Sequence, residues 1–461
     1  MRNLAKWMLW IGVALANLYA MGQQENELLP QVADDGTIIW QVAQPKDLFQ
    51  RVGNPFPWLP DETIGIRILF PTGPFLLGQV PDIDSYAARP QISADGLWLT
   101  YHDENGQIML WRILLDANGN KTLASLPTQL VIRQQQVTPS GILPIIGGNG
   151  RIIAFLSRDP NLHDPDGDSD PNNNNPPNPT PPSLGWGLLY IHDRDSDGDG
   201  VYDEFEEGAT RTLFINVPSP NPPFIRLTEF RLNLDPTGAL LAFSVFTENR
   251  WELWLVKNVL DIQNYPPQRV AYSSAPFSAP SVAGSKLAFT ASEPFNWDQI
   301  VPLTPPLPGV HVVNTLDLTL SLVVQTNGVN GASVLSRDGN LLSFHTTGTM
   351  YSVNGGQWWL FSDLNRDGVP DDFNGDKVPD FDRNGGDDVF VFDLTIPTTP
   401  LVWSTLITRT LGLGTPPVVP FSPCINPFLP SSSVNLIAFR EIINGQSRVR
   451  VVNTSNNNVL R

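Results

Sequence analysis

Asp193, Asp195, Asp197, Asp199 and Glu204 lie within twelve consecutive residues, and their spacing is chemically specific. Oxygen side chains stand at positions 1, 3 and 5 of this stretch, Gly198 at position 6, and Glu204 at position 12. Alternate residues of a tight loop point to one side. A glycine permits the sharp turn, the carbonyl of Asp199 at position 7 turns inward, and a terminal glutamate can close the shell with two oxygens. Such a shell suits a hard divalent cation, and calcium is the expected occupant. Without a cation these carboxylates would repel one another. The alternative reading is a solvated acidic loop.

A second acidic stretch runs from residue 363 to 388. Its candidate oxygen donors are Asp363, Asn365, Asp367, Asp371, Asp372, Asn374, Asp376, Asp380, Asp382, Asn384 and Asp387. They form overlapping short loops that start at Asp363, Asp372 and Asp380. Position 12 of the first is Asn374 rather than Glu, so neighbouring loops would have to share ligands. The Asp367-Gly-Val-Pro-Asp371 core resembles the thrombospondin type 3 repeat family, whose tandem loops bind calcium with little other core. The first loop, with Asp197-Gly-Asp199-Gly-Val-Tyr-Asp203-Glu204, is similar to that family and to the EF-hand loop. A disordered acidic linker is the competing reading of the second stretch.

These loops need a scaffold, and the chain supplies a repeat. A Gly-centred turn followed by an apolar strand, usually ending in an aromatic, recurs seven times. The copies are Asp35-Gly36 to Trp40, Asp95-Gly96 to Tyr101, Asn149-Gly150 to Phe155, Thr237-Gly238 to Phe243, Ala283-Gly284 to Phe289, Asp338-Gly339 to Phe344, and a weaker Val434-Asn435 to Phe439. Successive turns lie 60, 54, 88, 46, 55 and about 95 residues apart. The two long gaps hold the acidic segments. Removing about 40 residues from each restores a period near that of a four-stranded propeller blade. A second strand follows each copy, for example Trp251 to Val256 and Val389 to Phe392.

The repeat resembles the TolB-type propeller family, with Ser93-Ala-Asp-Gly96 and Ser336-Arg-Asp-Gly339 the nearest copies of its strand entry. The resemblance implies an all-β fold: a β-propeller of four-stranded blades over residues 23–461; the seven copies suggest seven blades, and six, frequent among TolB-like propellers, is the alternative. A two-sheet sandwich array is the competing architecture, but it needs no single period. The acidic inserts at 157–207 and 363–388 then fall in loops at blade edges. The loop beginning at Asp193 follows an apolar strand and should join two strands of one blade.

Residues 1–22 read as a secretory signal, with Arg2 and Lys6 before an apolar run and small residues Ala20 and Gly22 near a cleavage point. No later run has the length of a membrane span. A secreted protein of the periplasm or cell surface is expected. Cys424 is the single cysteine, so no intramolecular disulfide can brace the chain, and calcium loops would take over part of that role. The net charge of −18 argues against a nucleic-acid partner. It is concentrated: 22 of the 46 acidic residues lie in 159–207 and 363–388.

Enzyme motifs are absent: no Gly-x-Ser-x-Gly, no His-Glu-x-x-His and no phosphate-binding loop occurs. His102 and His345 both follow a repeat strand and could meet on one rim. The TolB-like resemblance includes pectin-fragment lyases that hold a metal through histidines, so a carbohydrate-active enzyme is the alternative function. The leading expectation is a calcium-binding module that recognises a protein or a polysaccharide. Trp358-Trp359, beside the second insert, is a candidate stacking platform.

Overall fold

The computed structural model describes residues 26–43, 63–70, 73–77, 88–103, 106–132, 141–157, 162, 186–204, 206, 208–216, 225–226, 230–247, 249–278, 280–298, 308–326, 330–346, 350–353, 356–359, 388–395, 404–406, 431–433, 436–443 and 446–453. The expected leader, the acidic donors from 363 to 387, Cys424 and most of the Asp/Asn/Pro-rich run at 158–185 lie outside them.

The chain is all-β. Among the described residues it forms seven separate antiparallel sheets that follow one another along the sequence. Most strands pair with their neighbours in sequence, but Asn296–Trp297 joins the fourth sheet from beyond two strands of the fifth. The third, which positions the acidic loop, runs Gly141–Gly147, Ile152–Ser157, Trp186–Asp193 and Arg211–Phe214. The fourth runs Phe230–Leu234, Leu241–Phe246, Trp251–Val256 and Gln268–Ser273. Every repeat strand read from the sequence is present, and each is the second strand of its sheet.

The Gly-centred turn is the hairpin between the first and second strands. In the second sheet it joins Ala88–Ile92 to Trp98–His102. The Asp95 carboxylate accepts the Leu97 amide at 3.0 Å, and the Ser93 hydroxyl accepts the Trp98 amide at 2.9 Å. Gly96 takes φ +68°, a conformation open to glycine at little cost. The same device recurs in the sixth sheet. Asp338 accepts the Asn340 amide at 3.0 Å and Ser336 accepts the Leu341 amide at 2.8 Å. Serine, aspartate and glycine therefore recur because each closes one part of the turn.

The strand before each turn was not legible in the sequence. In the first, second, third and sixth sheets its pairing slips, at Leu28/Gln31, Ala88/Gln91, Ile142/Ile145 and Asn330/Ser333. An extra residue breaks the two-residue alternation that marks a strand. One connection was also unexpected. The hairpin Met350–Val353 and Gly356–Trp359 lies between two strands of the sixth sheet, yet it pairs with Leu320–Thr326 of the fifth. It carries Trp358 and Trp359 on that added edge.

Apolar residues sit between sheets. Leu99 and Ile113 of the second sheet cluster with Ile39 and Ile68 of the first. Phe155 and Tyr190 of the third cluster with Ile108 and Leu110 of the second. Phe243 and Trp254 of the fourth cluster with Ile152 and Ile191 of the third. Further clusters join the fourth to the fifth and the fifth to the sixth. The first and last sheets also share one: Val32, Ile38 and Trp40 pack with Ala438, Val449 and Val451. Strands buried on both faces read as continuous apolar runs, as Ile152–Ser157 does with every residue buried.

Candidate metal centre

The acidic loop leaves the third sheet at Asp193, the last residue of Trp186–Asp193, and returns at Arg211 of the neighbouring strand. It is thus a hairpin connection within one sheet, as the sequence suggested. Within it, Asp195, Asp197 and Asp199 each offer a carboxylate oxygen, and these oxygens lie within 4.8 Å of one another. This is the only such group of acidic, histidine or cysteine side chains among the described residues. Asp195 is buried, whereas Asp197 and Asp199 are exposed.

Backbone turns bring the three together. The Gly200 amide donates to the Asp195 carboxylate at 3.3 Å, and the Val201 amide donates to Asp199 at 2.8 Å. Gly198 and Gly200 take φ of +77° and +88°, which a side chain would resist. The amide of Ser196 donates to the Ala209 carbonyl at 2.7 Å, closing the base of the loop. Two like charges about 4 Å apart repel by about 1 kcal/mol even in water. Desolvation, followed by the charges of Asp199, Asp197, Glu206 and Asp195, pushes the Glu204 carboxyl above its ordinary value. Glu204 therefore shares the field of the cluster.

Asp193, expected as the first ligand, is engaged elsewhere. Arg151 grips it with two hydrogen bonds, Nε to Oδ1 at 2.7 Å and Nη2 to Oδ2 at 2.8 Å. Donating to the Asp193 carboxylate holds the Arg151 guanidinium above its ordinary value. Asp203 is engaged in the same way, by Arg194, whose Nε lies 3.0 Å from each carboxylate oxygen. Each arginine neutralises one carboxylate, which leaves Asp195, Asp197 and Asp199 as the group facing a common point.

The same loop pattern can also be read two residues further on. Asp195, Asp197 and Asp199 take positions 1, 3 and 5, Gly200 takes position 6, Val201 supplies the carbonyl at 7, and Glu206 stands at 12. The sequence carried this signal, because the same spacing occurs in both frames. The ion pairs to Arg151 and Arg194 engage Asp193, position 1 of the first frame, and Asp203, position 9 of the second. The donor set is all oxygen and mostly anionic, which fits a hard cation such as calcium rather than a soft metal.

The histidines fall in several sheets. His102 ends Trp98–His102 in the second sheet and is 1% exposed. His345 lies in Leu341–Thr346 of the sixth, with its ring over the Gly331 backbone. His311 is buried against Phe289 and Phe295. His192 is buried beside Thr212, with Nδ1 2.9 Å from the hydroxyl.

No protein-family model matches the chain, and no curated protein sequence does. Solved structures with similar backbones include TolB from Acinetobacter baumannii, at 10% identity and TM-score 0.36 over 96% of this chain and 80% of that one. A chain of the mitotic checkpoint complex matches at 10% identity and TM-score 0.42, over 92% of this chain and 89% of that one. Prolyl oligopeptidase B from Galerina marginata matches at 9% identity and TM-score 0.43, over 95% of this chain and 51% of that one. At these identities and scores, no activity or partner is carried over to this chain.

Proposed function

We propose that this chain is an exported β-propeller that binds calcium in the hairpin loop of its third blade and serves as a recognition module for a protein or a glycan at the cell envelope or surface. The observation that carries the metal is the convergence of Asp195, Asp197 and Asp199 while Asp193 and Asp203 are held by arginines. In this reading Asp195, Asp197, Asp199, the Val201 carbonyl and Glu206 hold the ion, with Glu204 beside it. Bound calcium would neutralise the cluster and fix the loop. The chain's own contribution is to aim oxygens and to hold the loop base on the third sheet.

A seven-bladed ring is the architecture we infer. It is supported by the seven consecutive sheets and by the apolar cluster shared by the first and last. Arg337, in the turn of the sixth sheet, adds to this. It donates to the Val32 carbonyl at 2.9 Å and the Ile92 carbonyl at 3.4 Å, at the ends of the opening strands of the first and second sheets. Such a reach is natural across the axis of a ring. Export is supported by the leader pattern of residues 1–22, and the donors between 363 and 387 are candidates for further calcium loops.

Calorimetric titration of the full chain with calcium chloride tests the reading. Binding is expected, with an affinity on the order of micromolar to millimolar for a loop of this kind. Asp197→Asn and Glu206→Gln should each weaken the site far more than Glu204→Gln. The absence of binding heat at millimolar calcium would overturn the metal assignment. Co-sedimentation with a polysaccharide panel, without new reducing ends, is the expected behaviour of a recognition module. Release of oligosaccharides would favour the enzyme instead.

A further inference from the structure

Arg194, the first residue after the strand Trp186–Asp193, carries a side chain that is only 1% exposed. Burying a guanidinium is costly unless its charge and donors are matched. Here they are matched from three directions. Nε faces both oxygens of Asp203 at 3.0 Å, and Nη1 donates to the Gly150 carbonyl at 2.7 Å. The guanidinium carbon lies 4.1 Å from the ring centre of Trp98 and 5.0 Å from that of Tyr202.

These partners belong to different parts of the protein. Trp98 opens the second strand of the second sheet. Gly150 is in the first turn of the third sheet, and that turn reaches the fourth through the Gly148 amide and the Pro236 carbonyl at 3.0 Å. Tyr202 and Asp203 are the far limb of the acidic loop, and the Asp203 amide returns to the Arg194 carbonyl at 2.9 Å. The residues between Arg194 and Asp203 therefore form a closed lobe pinned at both ends by one arginine. The Tyr202 hydroxyl adds a bond to the Asn149 carbonyl at 3.4 Å.

We propose that Arg194 is the positioning residue of the calcium loop, and that it couples occupancy of the loop to the packing of the second sheet against the third. This rests on the calcium reading above. An empty cluster spreads under its own repulsion, and spreading draws Tyr202 and Asp203 away from the guanidinium. A bound cation draws Asp195, Asp197 and Asp199 inward and keeps Asp203 on Arg194, which keeps Arg194 on Trp98. Coupling of this kind is reciprocal: whatever calcium adds to the packing at Trp98, that packing adds to calcium affinity.

Hydrogen exchange of the full chain with and without calcium chloride tests the coupling. Peptides spanning 97–102 and 148–152 should exchange at least about fivefold more slowly with calcium, the lower end of ordinary coupling between sites. Peptides within 251–256 should not change. Trp98→Leu and Arg194→Lys should each weaken calcium binding by a similar factor. Lysine keeps the charge but lacks the planar fork and stacking face, so a role based on charge alone would be rescued by it. If calcium binds and slows exchange only within 195–206, the coupling is overturned and the metal site stands. If both variants bind calcium as the parent does, the positioning role is overturned. If the parent chain binds none, both readings fall. Should Arg194→Lys not fold, Trp98→Leu and exchange in the parent chain decide the question.

Discussion

Gly150→Ala is the sharpest probe of how the acidic loop is seated. Gly150 sits at φ +95°, and a methyl group added there would lie 2.2 Å from Cδ1, 2.6 Å from Cγ and 2.7 Å from Nε1 of Trp98. The indole has little room to retreat, because Arg194 covers it at 4.1 Å and Tyr202 lies 5.8 Å away. Two costs add. A left-handed backbone costs an alanine about 1–2 kcal/mol. Forcing a well-packed ring aside costs about 1–3 kcal/mol more. A loss of about 3 kcal/mol is expected. Gly119→Ala provides the control, because Gly119 sits at φ +80° with nothing within 4 Å of the added methyl. It should lose only the backbone share, about 1 kcal/mol. Urea unfolding followed by circular dichroism and tryptophan fluorescence, in chelator so that metal does not contribute, measures both. Equal losses would refute the contact between Trp98 and the Asn149-Gly150 turn, and with it the seat of Arg194.

Two further outcomes are expected. Arg337→Met should destabilise the fold by about 2 kcal/mol, since the Val32 and Ile92 carbonyls lose a charged donor; a change below about 0.5 kcal/mol in urea midpoint analysis would remove the cross-sheet tie. His192 is held neutral by burial, with its pKa lowered from 6.5 to about 4. The folded state therefore binds fewer protons than the unfolded chain in this window, so this contribution is complete above pH 6.5 and declines as pH falls toward 4, by about 3 kcal/mol in all. Unfolding midpoints of the parent chain and His192→Asn across pH 7 to 4 should diverge accordingly, and parallel profiles would contradict it.

Much of the architecture was written locally. Ser93, Asp95 and Gly96 close a turn whose hydrogen bonds span only a few residues, so each copy announces itself wherever it occurs. The apolar strand after the turn is similarly visible, because burial on both faces demands a continuous apolar run. In four of the seven sheets the strand before the turn was hidden, since a bulge erases its alternation. The hairpin carrying Trp358 and Trp359 was hidden for another reason: nothing in its own residues says which sheet edge it will join.

An oxygen-rich loop with calcium-type spacing could be read directly after an apolar strand, and its place between two strands of one sheet was legible from that order. The sequence by itself did not determine the frame, because the spacing is satisfied both from Asp193 to Glu204 and from Asp195 to Glu206. Charge pairing over distance, which only the fold supplies, is what favours the second frame in the reading proposed above. Arg151, 42 residues away along the chain, neutralises Asp193, and the buried Arg194, stacked on a tryptophan of another sheet, neutralises Asp203. Loop spacing is a property of neighbours in sequence, whereas which carboxylates remain unpaired depends on which cations the fold brings beside them.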